Sequence, residues 1–170
     1  MAQAAYQRLI ENQKKGKLYL TQKRGDAYHL AESAINQGVR FLIGCGGDGT
    51  IHEIINAIAQ TEVDLALGIL PCGKGNDLAR ALNIPTNLEL ATEILLKGGF
   101  KNIDLGKVGS HYFSTIVTCG YDAEVGRRVT EEGIQGTAAI FPGTLAYVVT
   151  AITTFPLFEA PMATIQGDFG

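Results

Sequence analysis

The sequence predicts an α/β fold built on a doubly wound parallel sheet with glycine-rich turns, followed by the start of a second, mainly β domain. Three observations carry this expectation. Val39 to Ile43 and Ala66 to Leu70 are short apolar runs of the kind buried in parallel sheets, broken only by Arg40. Each run leads into a glycine-rich turn and then a helical pattern, so the unit strand, turn, helix occurs twice. Beyond Gly98-Gly99 the texture changes to strands joined by a Gly109-Ser110 hairpin signal. Strands alternating with helices give the Rossmann-like arrangement, with helices on both sheet faces and ligands at the carboxyl ends of the strands.

In chain order, Ala2 to Gln13 reads as a helix and Lys17 to Thr21 as a short strand with Leu18 and Leu20 on one face. Gly25-Asp26 opens a helix in which Ala27, Leu30, Ala31, Ala34 and Ile35 recur at helical spacing, closed by Gly38. The Val39 to Ile43 strand meets Gly44, Gly46, Gly47 and Gly49, and a helix starting at Thr50 carries the stripe Ile51, Ile54, Ile55 and Ile58. After the Ala66 to Leu70 strand, Pro71-Cys72-Gly73-Lys74-Gly75 is a tight turn and Asn76-Asp77 begins another helix. A helix over Asn87 to Lys97 completes a first domain, residues 1–99. Residues 100–170 read as strands Asn102 to Val108 and His111 to Thr118, helices Asp122 to Glu132 and Thr144 to Thr154, and a strand Ala160 to Gln166 running into Gly167-Asp168. That last turn has no return strand, so a shortened chain is expected.

Composition narrows the function classes. The 170 residues are 46% hydrophobic and 18% charged, which excludes a disordered or fibrous chain. Fourteen Lys and Arg stand against seventeen Asp and Glu, a net charge of −3, and the basic residues are scattered. No electrostatic footprint for nucleic acid results. Cys45, Cys72 and Cys119 are odd in number and form no Cys-x-x-Cys, pointing to neither a disulfide framework nor a zinc site, and to a reducing compartment. The N-terminus lacks the apolar core of a secretory signal, and Leu145 to Phe158 is too short and interrupted to span a bilayer.

The chemistry concentrates in the two turns. In Gly46-Gly47-Asp48-Gly49-Thr50, residues without side chains let backbone N–H groups approach a phosphate, and the following helix adds its positive end. Asp48 repels bare phosphate unless it meets a cation, a ribose hydroxyl or an ordered water, so a magnesium-bound nucleotide is the expected ligand. Thr50-Ile51-His52-Glu53 also fits a capping box, which accounts for Thr50 and Glu53 but not for the glycines around Asp48. In the second turn Asn76 can bond phosphate or ribose and Asp77 can hold a metal-bound water; as plain structure, either is an N-cap.

These residues resemble the diacylglycerol kinase catalytic-domain family, within the superfamily shared with sphingosine kinases and NAD kinases. Gly46 to Glu53 resembles the family motif G-G-D-G-T-x-N-E, and Pro71 to Arg80 resembles P-x-G-T-G-N-D-x-A-R. Thr21 with Gly25-Asp26-Ala27 resembles the family's Thr followed by G-D-A, while Ile103 to Gly106, Tyr112-Phe113 and Gly120 to Ala123 resemble the strands that begin its second domain. The likeness covers Leu18 to Gly167 and is nearest to the soluble bacterial lipid kinases.

The resemblance implies an ATP- and Mg²⁺-dependent lipid kinase that phosphorylates the hydroxyl of a diacylglycerol-like lipid, cytoplasmic and peripheral to the membrane. A homodimer is left open. It implies an ATP site of Thr21, Gly46, Gly47, Asp48, Gly49, Thr50, Ile51, His52, Gly73, Lys74, Gly75, Asn76 and Asp77, with Asp48 or Asp77 holding metal through water. Lys74 replaces the motif's Thr, either as a point charge for a phosphate or as a solvated lysine on a degraded site. His52 replaces its Asn. The family's N-P-x-S-G strand is expected before Ala2 and its general base beyond Gly170, so little turnover is expected from this chain alone. The alternatives are a sphingoid-base or NAD kinase, which Asn76-Asp77 weighs against, and a catalytically dead nucleotide-binding remnant.

Overall fold

Two parallel strands, β1 (Phe41–Gly46) and β2 (Ala66–Pro71), pair from Phe41 opposite Ala66 to Gly46 opposite Pro71. They form the sheet of the first of two units, Met1–Ile116 and Val117–Gly170, in a computed structural model that describes residues 2–11, 15–131, 144–162 and 164. Alternation along β2 sends neighbouring side chains to opposite faces. Ile69 packs with Ile51 and Ile55 of α3 (Asp48–Ala59) and with Leu78 and Ala79 of α4 (Asp77–Ala81). Leu70 packs instead with Ala5 of α1 (Ala2–Glu11) and Ala91 of α5 (Leu88–Lys97). Behind α3, Ala27 and Ala31 of α2 (Asp26–Asn36) meet Ile54 and Ala57. Both sheet faces therefore carry helices, as the alternating pattern predicts.

Two strand glycines set how close those helices come. A Cβ at Gly44 would lie 2.7 Å from Ile51 Cδ1 on one face, and one at Gly68 would lie 2.3 Å from Leu95 Cδ1 on the other. The first strand runs later than its apolar run suggests, ending at Gly46 rather than Ile43. Its ladder continues because β2 supplies partners as far as Pro71. By contrast, the strand expected over Lys17 to Thr21 is absent: these residues are irregular, with Leu18, Tyr19 and Leu20 exposed. Alternation alone does not make a strand, because its hydrogen bonds must come from a neighbour.

The hairpin of β3 (Gly106–Val108) and β4 (His111–Phe113) turns through Gly109, whose φ of +59° suits glycine. Both strands are shorter than expected. Asn56 of α3 bonds Tyr112 on both sides of its backbone, accepting from its N–H at 2.9 Å and donating to its carbonyl at 2.9 Å. This tie holds the hairpin against α3 within the first unit, Met1–Ile116.

In the second unit α6 (Tyr121–Glu131) packs on α7 (Thr144–Thr154), burying Val125, Ala146, Thr150 and Thr154. Tyr121 donates its hydroxyl to the Ala151 carbonyl and meets Phe155 and Phe158 edge-on. No strand occurs among the described residues of this unit, and 160–162 and 164 are irregular. The remainder of the expected last strand, and Gly167-Asp168, lie outside the described residues. Among the described residues no helix is long and apolar enough to cross a membrane.

Candidate functional site

Both glycine turns leave the carboxyl ends of neighbouring parallel strands, so the pairing of β1 with β2 places them side by side. The Cys72 N–H donates to the Gly46 carbonyl at 2.9 Å, extending the ladder one step past the strands. There the backbones almost touch. A Cβ on Gly73 would lie 2.4 Å from Gly47 Cα, so neither turn has room for a side chain at that contact.

Asp48 joins the turns chemically. Its carboxylate accepts the N–H of Asn76 at 2.8 Å and that of Asp77 at 2.6 Å, capping α4 from another element. Gly75 is required by the same contact, since a Cβ there would lie 2.3 Å from Asp48 Oδ2. Asn76 sits in the left-handed region at φ 54° and is buried. Its side chain accepts from the Gly73 N–H at 2.9 Å and donates to the Gly73 carbonyl at 2.8 Å, so its amide closes the turn. Asp77 pairs with Arg80 on its own helix.

The first helix turn is the exposed donor surface. α3 begins at Asp48 with Gly47 in extended conformation as its N-cap, and the first intrahelical bond runs from the Ile51 N–H to the Gly47 carbonyl. Asp48, Gly49 and Thr50 thus contribute the N–H groups that a helix start leaves without internal acceptors. Gly49 has no structural reason to lack a side chain, since a Cβ there meets nothing within 4 Å. Thr50 is the third helical residue and not the N-cap, and its side chain lies against Gly46.

The capping-box expectation is corrected together with Thr50. Glu53 does not reach back within α3; it accepts the N–H groups of Gly25 at 2.8 Å and Ala27 at 3.1 Å, capping α2. Gly25 has φ 92° and no side chain to do this itself. Asp26, whose carboxylate accepts from the Gln22 and Lys23 N–H groups, is held below the usual carboxylate range by those two bonds. The loop carrying exposed Thr21 is thereby fastened beside α3.

Ile51 belongs to the core. Lys74 is exposed at the tip of the second turn. His52 is exposed one step along α3, its Nε2 3.4 Å from Asn56 Nδ2. Sequence reasoning missed Asn56 and the destination of Glu53. A polar residue inside the isoleucine stripe was the available signal for the first, and an uncapped Gly25-Asp26 helix start for the second.

Magnesium finds no ready cage. Asp48 already accepts two N–H bonds, Asp77 is paired with Arg80, and no cluster of three potential metal ligands occurs among the described residues.

Comparison with known proteins gives a consistent picture. The sequence model of the diacylglycerol kinase catalytic domain matches residues 2–108. A diacylglycerol kinase of Staphylococcus carnosus (strain TM300) is 33% identical over 140 residues, covering 81% of this chain and 44% of that protein. One from Staphylococcus saprophyticus is 33% identical over 150 residues, covering 88% and 48%. The crystal structure of a diacylglycerol kinase from Bacillus anthracis str. Sterne superposes with a TM-score of 0.52 at 33% identity, over 55% of this chain and 32% of that one. The chain spans less than half the length of these relatives.

Proposed function

The chain belongs to the diacylglycerol kinase catalytic-domain family, and from that premise we propose that its paired glycine turns bind the phosphates of ATP for transfer to a lipid hydroxyl. The observation that carries this reading is Gly49: four residues of glycine turn are explained by packing, whereas Gly49 leaves the donor end of α3 bare for no structural gain. A bare helix start with outward N–H groups suits a polyphosphate.

In this reading the N–H groups of Asp48, Gly49 and Thr50 hold phosphate oxygens, and Lys74 adds a mobile positive charge from the facing turn. Asp48 does not touch the phosphates; it fixes the spacing of the turns. Phosphoryl transfer asks a protein mainly for such positioning and charge neutralisation. Magnesium would arrive with the nucleotide, since these residues do not build a site for it.

The acceptor is a diacylglycerol, by analogy with the relatives named above. An uncharged helix α7 with Leu145, Val148 and Ile152 exposed supports work at a membrane surface. Two measurements test the reading: calorimetric titration of ATP into the chain with and without Mg²⁺, and passage of labelled γ-phosphate to diacylglycerol in detergent micelles. Magnesium-enhanced binding is expected. A folded chain that binds no ATP in either condition refutes the reading.

A further inference from the structure

Cys45 lies in β1 immediately before Gly46-Gly47, and Cys72 lies just past β2 immediately before Gly73. Their sulfurs are 3.0 Å apart, both thiols are free, and both side chains are partly open to solvent. We propose that Cys45 and Cys72 form a reversible disulfide with each other by exchange with a small disulfide such as oxidised glutathione, and that this bond disturbs the paired glycine turns. The third cysteine, Cys119, is exposed and lies in the other unit, so it offers a comparison within the same chain.

The chemistry balances as thiol–disulfide exchange. The Cys72 thiolate attacks one sulfur of the small disulfide and expels a first thiolate. Cys45, after giving up its proton to solvent, attacks Cys72 Sγ in the mixed disulfide and expels the second. The two protein thiols are oxidised, and the small disulfide is reduced to two thiols. Burial, followed by the neighbouring Cys72 sulfur, pushes the Cys45 thiol up to about 12.

Bond formation must bring the sulfurs closer by about 1 Å. Cys72 is bonded directly to Gly73, whose backbone lies so close to Gly47 that a Cβ on Gly73 would be 2.4 Å from Gly47 Cα. The same turn is held at its other end by the bonds from the Asn76 and Asp77 N–H groups to Asp48, so a shift of Cys72 is taken up either there or at the Gly73 contact. On this proposal oxidation loosens that clamp. The effect on ATP rests on the nucleotide reading above; the effect on the clamp does not.

The test oxidises the chain with oxidised glutathione and maps its disulfides by mass spectrometry, alongside Cys119→Ser and Cys72→Ser. The expected result is a Cys45 to Cys72 bond that dithiothreitol reverses and Cys72→Ser lacks. Exchange of the Asn76 and Asp77 amides should quicken by about tenfold, and ATP affinity should fall by about tenfold. Glutathione retained on Cys72 or Cys119 with no internal bond overturns the proposal. So does an internal bond that leaves amide exchange unchanged. If the reduced chain binds no ATP, the nucleotide reading fails by itself, and bond mapping with amide exchange still decides the disulfide.

Discussion

Replacing Asp48 by alanine removes a carboxylate that accepts two backbone N–H groups, at 2.8 Å from Asn76 and 2.6 Å from Asp77. Bonds to a charged acceptor contribute about 1.5–3 kcal/mol each when the donor is left stranded. The Asp77 N–H is exposed and water takes over there, whereas the Asn76 N–H is partly buried. The net cost is therefore about 2 kcal/mol, mostly from Asn76. For a chain of this size that lowers the melting temperature by about 4–8 °C. Asp48→Asn keeps one acceptor oxygen and should lose about half as much. Urea denaturation gives the free energy, and hydrogen exchange at the Asn76 and Asp77 amides localises it. A change below about 0.5 kcal/mol with both amides equally protected refutes Asp48 as the clamp between the turns.

Three other perturbations follow from the same geometry. Gly73→Ala sets a Cβ 2.4 Å from the backbone Cα of Gly47 and 3.0 Å from Asn76 Oδ1, and should destabilise by about 1–3 kcal/mol in urea; an unchanged midpoint contradicts the close approach. Asn56→Leu strips the partners from both backbone groups of Tyr112, costing about 2–3 kcal/mol and shifting the amide resonances of His111 to Phe113; a hairpin spectrum like the wild type counts against the tie. Glu124 titrates at about 2 instead of 4.5, because its bonds to Arg127 and then Arg128 favour the carboxylate. Its contribution is thus present above pH 4.5 and lost as pH falls towards 2, and a carboxyl ¹³C titration with its midpoint near 4.5 would show the pairs absent in solution.

Much of the architecture was legible from local signals. Asn87 ahead of Leu88 is a helix start by residue type, and its side chain accepts from the Glu89 and Leu90 N–H groups. The uncharged run Thr144–Thr154 is a helix with the bounds its pattern gave. The pairing of β1 with β2 followed from two apolar runs and their turns. What the sequence hid is non-local. Leu18 and Leu20 alternate correctly, yet no neighbouring backbone completes a strand there. Glu53 suits Thr50 by spacing, but α3 starts two residues earlier and releases Glu53 to α2. The bonds from the Asn76 and Asp77 N–H groups to Asp48, and from Asn76 to Gly73, were equally hidden, because residue type does not say which backbone N–H a side chain takes.

The central claim is that the bare start of α3 receives nucleotide phosphates, and Gly49→Val tests it most directly. A Cβ there meets nothing within 4 Å beyond its chain neighbours and its own helix backbone, so the fold should be unaffected, with a melting temperature within about 2 °C of wild type. Calorimetry should then show Mg²⁺-dependent ATP binding by the wild type and a loss of at least about tenfold in Gly49→Val. Equal binding by the two proteins would contradict the account, because the nucleotide would then lie elsewhere.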